Sequence, residues 1–149
     1  MSRDPLRLST VKALSNHRLS VTFQDDWKTD IDLSDWIANT QRLKPLADPA
    51  LFGQVRLGDF GTSVVWIDDE LDLGADNLRN LAVEQTGGIG HERLITWIHE
   101  NRLTQVQAAD AIGISRRMLN YYLSATKPIP KTVWLACLGW IYSQQRQAA

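Results

Sequence analysis

Residues 103–123 read LTQVQAADAIGISRRMLNYYL, and the order of cap, glycine and second cap in this stretch decides how the C-terminal half folds. Thr104 can cap a first helix while Gln107, three residues on, reaches back to the cap's own N–H, with Leu103 in the preceding staple position. Gly113 then closes that helix, because glycine takes left-handed backbone without steric cost, and Ser115 offers a cap for a second helix. The spacing predicts two short helices joined by a tight turn, a helix-turn-helix.

Arg116, Arg117, Asn120 and Tyr121 fall on one face of the second helix, while Leu119 and Tyr122 point the other way. Ala108, Ala109, Ile112 and Ile114 supply apolar partners, the two alanines allowing the helices to cross closely. The free face therefore carries hydrogen-bond donors. Arginine reads guanine bidentately and asparagine reads adenine in a major groove, which is the chemistry of a recognition helix.

Residues 94–130 resemble the lambda-repressor-like, XRE-type helix-turn-helix family of bacterial and phage regulators. The likeness runs through Leu103-Thr104-Gln105, Ala109, Ile112-Gly113-Ile114-Ser115-Arg116 and Pro128. It implies that Gln105 meets backbone phosphate and that Arg116, Arg117, Asn120 and Tyr121 face the bases, with Ser115 and Lys127 completing the DNA-binding candidates. Where that family usually carries Glu-x-Gly, this chain has Leu123 and Ala125.

Charge separates the chain into two parts. Residues 1–85 hold nine Lys or Arg against fourteen Asp or Glu, and residues 86–149 hold seven against three, so net −5 precedes net +4. A basic module that can meet phosphate thus follows an acidic one that cannot. We therefore expect a small α+β domain over 1–85 and an all-α helix-turn-helix domain over 91–149, divided at Thr86-Gly87-Gly88-Ile89-Gly90. No apolar run approaches the ~20 residues needed to span a bilayer, and the N-terminal ten residues lack an apolar signal core, so a cytoplasmic location is expected.

In the N-terminal half, Leu19, Val21 and Phe23 alternate with Arg18, Ser20, Thr22 and Gln24 from a strand beginning near Lys12. Asp25-Asp26 interrupts it before Lys28 to Leu33 alternates again, which predicts a hairpin with Trp27 exposed at its tip. A helical turn is expected after Ser34 and another at Asp48-Pro49, then strands over 54–57 and 62–67 joined by a turn at 58–61, and a helix over 74–84. The sum is an α+β domain with a small antiparallel sheet.

Leu46-Ala47-Asp48-Pro49-Ala50-Leu51-Phe52, Val55, Val65-Trp66 and Asp72-Leu73 through Leu78 resemble a bacterial family of short domains of unknown function, over roughly residues 11–80. That family commonly has Asp-Gly where this chain has Asp25-Asp26, and Pro-Asn-Gly where it has Ile67-Asp68-Asp69. The resemblance implies a small αβ domain, sometimes fused to a helix-turn-helix and sometimes encoded beside a toxin-like partner. Beyond the second domain's first helix, with Leu94, Trp97 and Ile98 on a stripe, the segment Val133 to Tyr142 is apolar almost all round, which predicts a last helix buried on more than one side.

Other motifs favour structural readings. Asp68, Asp69, Glu70 and Asp72 lack the spacing of a calcium loop and read as a solvated acidic loop. His91-Glu92 and His99-Glu100 begin like metalloprotease motifs, but Ile95 and Leu103 stand where a second histidine is required. His17, His91 and His99 are therefore expected at the surface or at caps. Cys137, the single cysteine, reads as a core thiol, as do the tryptophans at 66, 97, 134 and 140 as core rings. We expect no cofactor, no metal site and no enzymatic constellation. The expected function is a sequence-specific transcriptional regulator that binds double-stranded DNA as a homodimer, with no membrane partner. The alternative is an antitoxin-like or adaptor module that binds a toxin-like protein and uses the helix-turn-helix for autoregulation or not at all.

Overall fold

The computed structural model describes residues 3–148. The chain divides into two compact units, Met1–Gln85 and Thr86–Ala149.

The first unit contains two small antiparallel sheets. One has the order β1 (Leu8–Leu14), β2 (Arg18–Phe23), β3 (Lys28–Asp32); the other runs β4 (Arg56–Leu57), β5 (Ser63–Trp66), β6 (Leu71–Gly74). Alternation in β2 has the predicted consequence, since Leu19, Val21 and Phe23 are all fully buried. Helices α1 (Ser34–Asn39), α2 (Pro49–Phe52) and α3 (Ala75–Gln85) complete the unit, with a 3₁₀ segment over Gln41–Ala47. Asp48 caps α2 by accepting from the Ala50 N–H at 3.0 Å. Phe23, Leu33, Leu46, Phe52, Trp66 and Leu78 belong to one core, where the Trp66 indole N–H donates to the Phe52 carbonyl at 2.9 Å. At the end of α3 the Gln85 amide accepts from the Asp32 N–H and donates to its carbonyl, fastening the helix to β3.

Three expectations for this unit change. The single strand expected from Lys12 is two strands, because Asn16 and His17 turn the chain at φ 61° and 57°, and β1 reaches back to Leu8. Leu71–Gly74 forms an additional strand along β5. Trp27 is half-buried rather than exposed: it stacks on Phe23 with ring centroids 5.7 Å apart, and the Arg79 guanidinium lies over both rings at 4.6 and 4.9 Å. Arg79 also donates two hydrogen bonds of 2.9 Å to the Asp25 carboxylate. A cation that leaves water here keeps both a counter-ion and a π-face, which explains why an Arg tolerates the site.

Gly61 lies in the turn between β4 and β5 with φ 72°, and a Cβ there would run into the Leu8 carbonyl oxygen. Only glycine fits so close to another strand's backbone.

The second unit consists, among the described residues, of α4 (His91–Glu100), α5 (Gln105–Ile112), α6 (Arg116–Leu123) and α7 (Lys131–Ala148). Its core joins Leu94, Trp97, Ala108, Ala109, Leu119, Tyr122, Val133 and Cys137. Trp97 meets Trp140 edge to face at 5.6 Å. Burial pushes the Cys137 thiol up to about 11, in keeping with a core residue. His91, expected at the surface or as a cap, is buried as the first residue of α4, whereas His99 is exposed. The last helix also departs from expectation: Val133 and Cys137 are buried, but Leu135, Leu138 and Tyr142 are exposed. No described helix is long and apolar enough to cross a membrane.

Candidate nucleic-acid interface

Local devices fix α5 and α6 against each other. The Gln107 N–H donates to Thr104 Oγ1 at 3.1 Å and the Thr104 N–H donates to Gln107 Oε1 at 2.9 Å, the reciprocal box the sequence predicts. Gly113 closes α5 at φ 89° and ψ 31°, and the N–H groups of Gly113 and Ile114 both reach the Ala109 carbonyl. A Cβ at Gly113 would meet nothing within 4 Å, so the backbone angle and not space calls for glycine. Ser115 Oγ then accepts from the Met118 N–H at 3.0 Å and starts α6. Ala108 and Ala109 are buried with Leu119 and Tyr122, leaving the opposite face of α6 free.

On that free face Arg116, Arg117 and Asn120 are exposed and Tyr121 is half-buried. Arg117 Nε donates to Tyr121 Oη at 2.7 Å, and the guanidinium carbon lies 5.5 Å from the ring centroid. Lys127 Nζ lies 4.9 Å from the same centroid. The structure therefore brings three of the candidates together around one phenol, with both cations near its π-face. Ser115 stands at the start of the same helix with its hydroxyl oxygen engaged in the cap. Gln105, exposed at the first position of α5, lines a cavity of about 530 Å³ with Ile95, Ile98, Leu103 and Leu123.

Two contributors escape sequence reasoning. The loop after α6 places Lys127: the N–H groups of Thr126 and Lys127 donate to the Tyr121 carbonyl, and Ser124 Oγ donates to the Asn120 carbonyl while sharing a 2.7 Å hydrogen bond with Thr126 Oγ1. Ala125 turns this loop at φ 59°. A Ser-x-Thr after a helix was the available signal, since both side chains readily bond nearby backbone. The second is Arg102, an exposed cation at φ 54° that lines the same cavity as Gln105. Together the guanidiniums, the lysine and the Asn120 amide offer several donors and little negative charge, in a half of the chain with net charge +4. Such a surface can bind phosphate oxygens and the acceptor edges of bases.

Comparison with known proteins bears on both units. Residues 8–84 match the model of a family described as "Protein of unknown function (DUF2442)". The chain belongs to the DUF2442 family. This DUF2442 protein is also similar to a Nitrosomonas europaea protein whose crystal structure carries the name "Putative DNA Binding Protein", with 42% sequence identity and a TM-score of 0.82. That likeness covers 90% of the DUF2442 chain and 85% of its neighbour, so it extends well past residue 84. No curated protein matches the DUF2442 chain.

Proposed function

We propose that this protein is a sequence-specific, DNA-binding transcriptional regulator of the lambda-repressor-like, XRE type, cytoplasmic and without catalytic activity. The observation that carries the reading is the arrangement of Arg117, Tyr121 and Lys127 on the free face of α6, beside exposed Arg116 and Asn120. In this reading α6 lies in the major groove. Arg116, Arg117, Asn120 and Tyr121 face base edges, Gln105 and Lys127 meet phosphate, and the Ser115 hydroxyl donates at the helix start. The name of the Nitrosomonas neighbour supports the same class of partner. One such helix covers one half-site, so the reading calls for a homodimer spanning half-sites about 34 Å apart.

Selection of bound fragments from genomic DNA by the purified full-length chain tests the proposal. Recovery of a shared two-fold sequence is expected, and replacing both Arg116 and Arg117 by Ala should weaken binding to it by about 1–3 kcal/mol per lost base contact. Recovery of unrelated fragments at equal affinity would refute sequence-specific recognition.

One observation favours a second reading. Phe60 is 83% exposed at φ 58° on the unit of net charge −5, a large exposed aromatic on an acidic unit. Such a residue suits an antitoxin-like unit that holds a basic, toxin-like protein while α6 serves autoregulation. A stoichiometric basic partner that survives nuclease treatment in a native lysate, and is lost on Phe60→Ala, would favour it.

A further inference from the structure

The cavity of about 530 Å³ in the second unit is lined by the C-terminal half of α4 and the turn after it, the first residue of α5 and the last residue of α6. Its walls are aliphatic: Ile95, which is 44% exposed, and half-buried Ile98, Leu103 and Leu123. His99, Arg102 and Gln105 supply its polar groups, and no carboxylate lines it. Apolar walls with a few polar groups, in a cavity of this size, are the properties of a small-molecule site.

Arg102 enters this lining from a conformation that suits glycine better. The Leu103 N–H donates to the Ile98 carbonyl at 3.0 Å and the Arg102 N–H to the His99 carbonyl at 3.1 Å, the two bonds that close a helix in a Schellman motif. That motif asks for left-handed backbone at the position Arg102 fills with φ 54°. Glycine would serve the turn at no steric cost, whereas arginine adds a guanidinium to the cavity lining. Among the described residues no salt bridge engages Arg102.

We propose that this cavity binds an organic monocarboxylate with an aliphatic body, a medium-chain fatty acid being the simplest, and that its head group competes with DNA phosphate for the start of α5. Charge and polarity choose the occupant. An aliphatic chain removes Ile95, Ile98, Leu103 and Leu123 from water, while a carboxylate accepts a bidentate pair of hydrogen bonds from the Arg102 guanidinium and another from the Gln105 amide. An amine would meet Arg102 with like charge, and an alcohol would leave the guanidinium without a counter-ion. A DNA phosphate has no apolar body with which to cover the walls. The competition rests on the DNA-binding reading, in which Gln105 meets phosphate: a Gln105 amide held by a carboxylate cannot serve the DNA backbone, and the added negative charge repels it.

Titration calorimetry of the full-length chain with submicellar decanoate, in the absence of DNA, tests the site. One saturable site per chain is expected, with decanol and decylamine binding at least ~10-fold more weakly. Arg102→Gly suits the left-handed turn, so the fold is retained, and it should weaken decanoate binding at least ~10-fold. Ile95→Glu changes an exposed position and should weaken it as well, by setting a carboxylate in the wall. No saturable binding, decanol bound as tightly as decanoate, or indifference to both variants overturns the site. So does inorganic phosphate bound as tightly as decanoate, because the aliphatic body would then contribute nothing. Anisotropy on the selected DNA reads the competition: saturating decanoate should lower the affinity of the parent protein about 10-fold and leave that of Arg102→Gly unchanged. Decanoate bound with DNA affinity fully retained overturns the competition. A chain that selects no DNA sequence refutes the DNA-binding reading and the competition with it, whereas the site is judged by calorimetry alone.

Discussion

Arg117 Nε donates to Tyr121 Oη at 2.7 Å, one turn apart on the free face of α6. This contact engages Nε and does not use the two Nη groups of the terminal fork. A side chain with four rotatable bonds is thereby held in one orientation before it meets a ligand, which lowers the ordering cost of binding. Tyr121 in turn sits below Lys127, so the phenol organises two cations.

Tyr121→Phe keeps the ring and removes the hydrogen bond. If α6 reads DNA as proposed, the variant's affinity for the selected sequence should fall by about 1–2 kcal/mol, with discrimination relaxed at a single base position. The salt dependence should be unchanged, because no phosphate contact is lost. Fluorescence anisotropy across a salt series measures both quantities; unchanged discrimination would show that Tyr121 does not position Arg117.

Three places where the resembled families carry glycine hold other residues here, and each keeps left-handed backbone: Asp26 at φ 71°, Asp69 at φ 69° and Ala125 at φ 59°. Aspartate tolerates that region better than alanine does. Ala125→Gly should therefore stabilise the second unit by about 1 kcal/mol, and Asp26→Gly should stabilise the first by less. Urea denaturation of each single variant gives the comparison. A destabilised Ala125→Gly would mean that the methyl group makes packing contacts worth more than the strain.

These substitutions also explain which parts of the fold were legible in the sequence. The α5–α6 pair was readable to the residue, because its determinants are local: a Thr-x-x-Gln box, Gly113 and a capping serine lie within twelve positions. The β1–β2 turn was not, because Asn16 and His17 carry positive φ without a glycine to announce it. Trp27 was misplaced for a different reason: its cover comes from Arg79, more than fifty positions away, and no periodicity encodes a cation that folds back onto a hairpin. The candidate site was likewise visible as a helical face, whereas the loop bonds of Ser124 and Thr126 that place Lys127 depend on a turn with a non-glycine at its left-handed position.

The Asp25–Arg79 pair makes the first unit sensitive to acid. Burial pushes the Asp25 carboxyl up, but the hydrogen bonds and charge of Arg79 outweigh this and hold it below the usual carboxylate range. A carboxylate with a depressed folded pKa contributes stability that is complete above its unfolded value of about 3.9 and is lost as pH falls through the folded one. Arg79→Ala should cost about 2–3 kcal/mol near neutral pH, since it removes the counter-ion and the cover of Phe23 and Trp27 together. The gap between the parent protein and the variant should narrow below about pH 4. Denaturant titrations at several pH values would show it, and a pH-independent gap would assign the loss to ring packing alone.

Cys137 should be silent in the native state. Its side chain is 0% exposed and its thiol is pushed up to about 11, so little thiolate exists at neutral pH. A chromogenic disulfide reagent at mildly alkaline pH should react stoichiometrically only after denaturation. Rapid reaction of the folded protein would show that the α7 core opens readily.

The seat of Gly61 against the Leu8 carbonyl has a kinetic side. More than fifty residues separate the two, so the turn between β4 and β5 cannot settle until most of the first unit has emerged and its opening strand has been retained for it. Closing so long a loop delays folding, whereas the helix pairs of the second unit, α5 with α6, α4 with α6 and α5 with α7, close shorter ones. Although translated first, the sheet-bearing unit is thus the one whose completion must wait, and a side chain added at Gly61 would stall it at that last docking step.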